Sequence, residues 1–370
     1  MDTLEVRNQR NYGIDVLRIV TMFMIVMFHI IGHGGMLENA QMFSLNNGII
    51  WTIESVLFCV VNVYVMITGY IYARHNWKCQ SVIYLWVEVL FYSVSVPLVL
   101  KILGYNIGVK TVLKGFFPIL QSQYWYFTEY FALFLAIPIL NMIVSDKFRA
   151  KYTIVVGTAL LSVAPVLAQG RDLFFTNQGY SFLWFILMYC WGAYIRLYGV
   201  FKNVKSCFLV LIYFINFALL TFSKVGLDYI EMNLWGGMRY SGNLHNYTSP
   251  LVLMAAVIML VLFSKIKIKS SVLSKLIKSL SGLTFGVYLI HENSSFRANI
   301  ILNSFANLVD KSAVIMILSL LGWTICIFAG CMVIEFVRKK LFEILRVEKI
   351  INYLWLTIKK HITNVFRKSC

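Results

Sequence analysis

Charge is scarce in this 370-residue chain: only 13% of its residues are charged, and only 16 of them are acidic. With 59% hydrophobic residues and a mean hydropathy of +0.74, that scarcity excludes an ordinary soluble domain. The cysteines lack a framework too. Seven are present (Cys59, Cys79, Cys190, Cys207, Cys326, Cys331 and Cys370), with neither metal-ligand spacing nor an extracellular pairing pattern. Most lie in or beside apolar runs, where a free thiol behaves as a small hydrophobe. A cleavable signal peptide is not apparent. The first apolar run contains ionised residues and no small-residue cleavage site, so it is expected to stay as the first span. Internal repeats and a soluble domain of useful size are missing as well.

What is present is a series of apolar segments near the length that crosses a bilayer. Ten stand out, at 12–33, 47–73, 81–103, 124–144, 152–168, 180–198, 206–222, 249–263, 279–297 and 313–337. The fifth, seventh and eighth are short, so their borders are soft. The reading is an all-α polytopic membrane protein of about ten transmembrane helices.

The formal net charge of +17 does not point to nucleic acid. Lysines and arginines sit in short loops between apolar segments, not in a basic stripe interleaved with aromatics. They suit topology signals and contacts with anionic membrane lipids. The N-terminus, every second loop and the tail together hold 24 of them, against 7 in the opposite loops. That bias places both termini in the cytoplasm, which requires an even number of spans. Residues 1–337 then form a transmembrane domain, and 338–370 a basic amphipathic cytoplasmic tail expected to lie as an interfacial helix. The longest outer loop, 223–248, contains WGGMRYSGNLHNY and reads either as a binding loop or as a solvated connection.

The first span carries Asp15, Arg18, His29 and His33. Such residues are costly in a membrane and usually face a bundle interior or a water-filled cavity. Arg18 and His29 have ten residues between them, which places them on one helical face about 16 Å apart. Asp15, one turn before Arg18, is positioned to neutralise part of its charge. The topology sorts the polar residues by depth. Asp15, Arg18, Arg74 and Glu88 fall on the cytoplasmic side, and His29, His33, Glu54, Glu129 and His291 toward the outside. Bland readings stand beside the functional ones. Arg74 with Lys78 also reads as a positive flank, Tyr124, Trp125 and Tyr126 as an interfacial aromatic belt, and His291 with Glu292 as solvated border residues.

These residues carry a resemblance. IDVLR followed by the Arg-ten-residues-His spacing resembles the opening span of the membrane-bound acyltransferase 3 family of bacterial O-acyltransferases. VYVMITGYIYAR at 63–74, YWYFTEYFALFLAIPILN at 124–141 and SGLTFGVYLIHE at 281–292 are similar to later family segments, in the same order. Thr68-Gly69-Tyr70 replaces a serine form, and the esterase-like domain appended in some members is lacking. The resemblance implies a multi-pass protein of the bacterial cytoplasmic membrane. Such a protein moves an acyl group, usually acetyl, from acyl-CoA to a hydroxyl of an envelope polysaccharide or lipid-linked sugar, without a metal. It implies His29 as general base or covalent carrier, with Glu129 orienting it or binding the acceptor. Arg18 then holds the acyl-CoA with Arg74 and Tyr70, while Trp125, Tyr126 and His291 meet the acceptor. Because relatives have been described as polysaccharide exporters, translocation is the alternative, although no inverted repeat or paired broken helices support it.

Overall fold

In a computed structural model the chain is helical throughout, with no strand among the described residues, 10–75 and 77–368. Arg7 and the side chains of the tail beyond Lys359 lie outside that description. Thirteen helices organise the fold: α1 (Tyr12–Gly32), α2 (Leu45–Leu57), α3 (Val60–Tyr72), α4 (Cys79–Ile102), α5 (Trp125–Val144), α6 (Lys147–Leu167), α7 (Phe182–Tyr198), α8 (Ser206–Trp235), α9 (Pro250–Ser264), α10 (Ser271–Ser281), α11 (Thr284–His291), α12 (Ala313–Ile344) and α13 (Val347–Lys368). Counting α2 with α3 and α10 with α11 as continuous rods, eight are long and apolar enough to cross a membrane. Two further apolar helices, α7 and α9, are shorter. Each of the ten apolar segments of the sequence coincides with one of these ten. The chain is a multi-pass membrane protein.

α1 is the axle of the bundle. Asn11 caps it by accepting the backbone N–H of Gly13, and Asp15 in its first turn suits the positive end of the helix dipole. The helix packs against α2, α3, α9, α10, α11 and α12. Its polar residues therefore face protein on nearly every side and not lipid. The outer surfaces of α4, α8 and α12 expose Ile102, Leu219, Val314 and Ile325, as expected of helices bathed in hydrocarbon.

Lipid tails give no hydrophobic drive between helices, so close packing has to come from small residues. At the α3–α7 crossing a Cβ on Gly69 would lie 2.1 Å from the Tyr189 carbonyl oxygen, and one on Gly192 would lie 1.9 Å from that of Met66. The two glycines let the two backbones touch. The glycine of Thr68-Gly69-Tyr70 is thus a packing requirement.

α12 continues past residue 337 to Ile344, and the tail helix α13 begins three residues later, packed on α4 and α12 with Ile351 buried. Buried charge joins these elements. Arg338 bonds both Glu335, at 2.5 Å, and Glu88 on α4, at 3.3 Å, while the Tyr92 hydroxyl donates to Glu335 at 2.6 Å. The outer loop after α8 is tied down as well. Glu231 accepts the backbone N–H groups of Arg239 and Tyr240, and Asn62 donates to the Tyr247 carbonyl at 2.8 Å.

Candidate functional site: a cavity and a histidine relay on one helix

At one end of the bundle, beside the start of α1, lies a cavity of about 690 Å³. Arg18 faces it together with Tyr64, Thr68, Tyr126, Tyr130 and Glu88, and Lys78, Gln80 and Ser81 at the start of α4 line it too. Three residues of α13, Glu348, Ile351 and Asn352, complete the wall. The aromatic lining follows from helical period: Tyr126, Tyr130 and Phe134 recur every four residues on α5, as Tyr64, Thr68 and Tyr72 do on α3. That spacing is visible in the sequence and was the available signal for this wall.

Arg18 is poorly compensated. Asp15 forms no ion pair with it, because both carboxylate oxygens of Asp15 are held by Arg10, at 2.7 and 2.8 Å, and Ser281 donates to one of them; it favours the Arg18 charge only from a distance. The reach from residue 10 was not apparent, since Arg10 lies outside the span. The Arg18 guanidinium carbon sits 5.9 Å from the Tyr64 ring centroid, and its Nε is buried without a hydrogen-bond partner. Among the described residues no carboxylate forms an ion pair with it. A buried guanidinium with an unused donor, facing an open cavity, suits an anionic or carbonyl-bearing ligand.

Tyr70 and Arg74 stand apart from that cavity. The Tyr70 hydroxyl meets Asn11 and Arg196, each at 3.2 Å, and Arg74 reaches the Arg196 carbonyl at 3.4 Å. Both belong to the junction of α1, α3 and α7, on a different face of α3 from Thr68 and Tyr72.

The second group gathers at the far end of α1. His29 Nδ1 lies 2.9 Å from His291 Nε2 and 3.0 Å from a Glu292 oxygen. His291 Nδ1 is 2.6 Å from the Val287 carbonyl, which can only accept, so that nitrogen carries the proton. His291 Nε2 is then a bare acceptor and takes the Nδ1–H of His29. In the neutral ring this tautomer leaves His29 Nε2 with a free lone pair. Arg297 bonds Glu292, and His33 Nε2 lies 3.6 Å from it. Arg297 thus gives the buried Glu292 carboxylate a positive partner. Glu292, adjacent to His291 in the sequence, is the carboxylate of this group.

Glu129 is not part of it. It lies half-buried on α5, where the backbone of Phe182 meets its carboxylate. Consecutive residues of α5 serve different neighbourhoods. Trp125 packs on Tyr180, with ring centroids 4.4 Å apart, and stacks on Tyr247 at 6.2 Å. Tyr126 turns inward to the cavity and to Tyr288, at 5.6 Å, whose ring touches that of His291 at 6.3 Å. Tyr126 and Tyr288 therefore lie between the Arg18 cavity and the histidines.

His29, His33 and Glu292 bring ligand atoms within 4.8 Å of one another, a reach that a metal ion could bridge. Arg297 already supplies a positive partner to that carboxylate.

Comparison with known proteins adds one match. The family model described as an acyltransferase domain, Acyl_transf_3, matches residues 11–337, nearly the whole described bundle. No curated protein and no solved structure matches.

Proposed function

Because the chain belongs to this acyltransferase family, we propose that it is an O-acyltransferase that takes an acyl group from acyl-CoA, with acetyl-CoA as donor, and places it on a hydroxyl of an envelope polysaccharide or lipid-linked sugar. The observation that carries this reading is the free Nε2 of His29, held by a relay on the same helix as the cavity-facing Arg18. Eleven residues of helical rise put the two about 16 Å apart, within the extent of a pantetheine arm.

The acyl-CoA would enter the cavity with its polar groups toward Lys78, Gln80 and Ser81 and its arm past Arg18. The loop charges support a cytoplasmic position for this end, with His29 toward the outer face. At His29, Nε2 accepts the proton of the acceptor hydroxyl as its oxygen attacks the thioester carbonyl carbon. The new C–O bond forms, the C–S bond breaks, and the CoA thiolate takes the proton back from the imidazolium. Glu292 stabilises that imidazolium, and His291 fixes its Nδ1–H orientation. Trp125, with Tyr180 and Tyr247, offers ring faces for the acceptor. Tyr126 has a buried hydroxyl without a partner between the two stations, suited to the passing thioester.

The test compares the mass of the envelope glycan from cells with and without the protein. Loss of one acetyl unit per repeat, with the glycan still at the surface, is expected. Disappearance of the surface glycan itself would instead identify an exporter and overturn the reading.

A further inference from the structure

The nitrogen of His29 that the relay commits is crowded by acceptors. Nδ1 carries one hydrogen, and two lone-pair atoms stand within its reach, His291 Nε2 at 2.9 Å and Glu292 Oε2 at 3.0 Å. His291 takes the hydrogen. Glu292 Oε2 is left without a hydrogen bond, on a residue only 2% exposed. A buried carboxylate oxygen in that state is costly, and native proteins usually serve such atoms. Arg297 bonds the other oxygen, Oε1, and does not relieve it. His33 adds one more nitrogen to the group. Its Nε2 lies 3.6 Å from Oε1, too far for a hydrogen bond.

These atoms are disposed as the ligands of a metal ion are. His29 and His33 are one helical turn apart, and His33 keeps helical backbone angles at the C-cap of α1. Both rings therefore project from one face, with centroids 5.1 Å apart. One ligand atom from each of His29, His33 and Glu292 lies within 4.8 Å of the others. Around a tetrahedral ion with bonds of about 2.1 Å, ligand atoms stand about 3.4 Å apart. The separations of the two histidines from the carboxylate, 3.0 and 3.6 Å, fall on either side of that value. Two imidazoles and a carboxylate suit zinc, whereas magnesium and calcium prefer oxygen ligands throughout. An approach is open, because the His33 side chain is 39% exposed. The Arg297 side chain, 35% exposed, has room to leave Oε1.

Zinc on Nδ1 changes more than the carboxylate. A neutral imidazole that ligates through Nδ1 carries its hydrogen on Nε2. The free lone pair of His29 Nε2 is then gone, with no net proton gained or lost by the ring. His291 Nε2, relieved of the hydrogen it accepted, keeps a lone pair beside the ion. Its Nδ1–H stays on the Val287 carbonyl, the outer bond that ligating histidines make.

We propose that His29, His33 and Glu292 form a zinc site that competes with the Arg297 contact and switches off His29 as a base. The loss of acyl transfer rests on the acyltransferase reading; the zinc binding does not. Equilibrium dialysis of the full-length protein in detergent against zinc chloride, with bound metal counted by mass spectrometry, tests the site. Wild type is expected to hold one zinc that His33→Gln binds about tenfold more weakly or not at all. Arg297→Gln, which removes the competing cation, should bind that zinc several-fold more tightly, and an equal concentration of magnesium should not displace it. In transfer assays with acetyl-CoA, zinc should inhibit wild type and a chelator should restore its rate. Measured against its own metal-free rate, His33→Gln should need about tenfold more zinc for the same inhibition. Equal zinc binding by wild type and folded His33→Gln, unchanged or weaker binding by Arg297→Gln, or displacement by magnesium would overturn the proposal. If His33→Gln does not accumulate as folded protein, Arg297→Gln decides alone. A His33-dependent zinc on a protein that never transfers acetyl would sink the acyltransferase mechanism and keep this site; transfer that zinc leaves untouched, with no His33-dependent zinc bound, would do the reverse.

Discussion

His29 has one nitrogen committed and one free, and both facts come from partners far away in sequence. His291 and Glu292 hold its Nδ1 from α11 and the residue that follows it. Glu292→Gln keeps the shape of the side chain and removes the charge that stabilises the imidazolium. It is expected to lower kcat by about two to four orders of magnitude with a small change in KM for acetyl-CoA. Glu129→Gln, remote from the imidazole, should change kcat far less, and steady-state kinetics of the two variants side by side checks this. The sequence made the Arg18–His29 spacing legible because helical period is local. It did not reveal Glu292 as the carboxylate beside His29, because pairings across 262 or 263 positions depend on how α1 and α11 pack. Arg10 misled for the opposite reason. It lies just before the span, yet it reaches into the first turn of α1 and holds both Asp15 carboxylate oxygens, so Asp15 makes no direct pair with Arg18.

At the scale of elements, small residues and buried anchors decide how helices and loops meet. Gly192→Leu would drive a side chain into the Met66 carbonyl, and α3 and α7 would have to separate. A loss of about 1–3 kcal/mol is expected, seen as a lower thermal midpoint in detergent, while Gly322→Leu on α12, with open space around it, should have a small effect. The outer loop carries a pH dependence of predictable sign. His245 titrates at about 4 in the docked loop and near 6.5 when released, so the docked state binds fewer protons. Docking is at full strength above about 6.5 and weakens as the pH falls through that value toward 4. Protease cleavage between residues 236 and 248 should therefore accelerate from pH 7 to pH 5, and His245→Gln should flatten that rise. Helix existence was legible throughout, since each apolar run became a helix. The docking of this loop was not, because its anchors, Glu231 to backbone N–H groups and Asn62 to Tyr247, are tertiary.

At the scale of the whole molecule, two groups of polar residues stand at opposite ends of α1, and the tail belongs to one of them. The sequence presents 338–370 as an amphipathic appendage, while the structure brings Glu348, Ile351 and Asn352 into the cavity wall. Amphipathic period predicts such a helix but not which surface receives its first turns. Truncation after residue 346 should raise KM for acetyl-CoA several-fold while leaving a smaller effect on kcat, as expected when binding surface is lost far from the reacting atoms. The division of labour along α1 is the central claim, and transfer of label from acetyl-CoA to membrane glycan measures it directly. At equal protein levels, Arg18→Gln should raise KM for acetyl-CoA with kcat less affected, and His29→Gln should abolish turnover at every donor concentration. Near-normal transfer by His29→Gln, or an Arg18→Gln enzyme with wild-type donor dependence, would contradict the account.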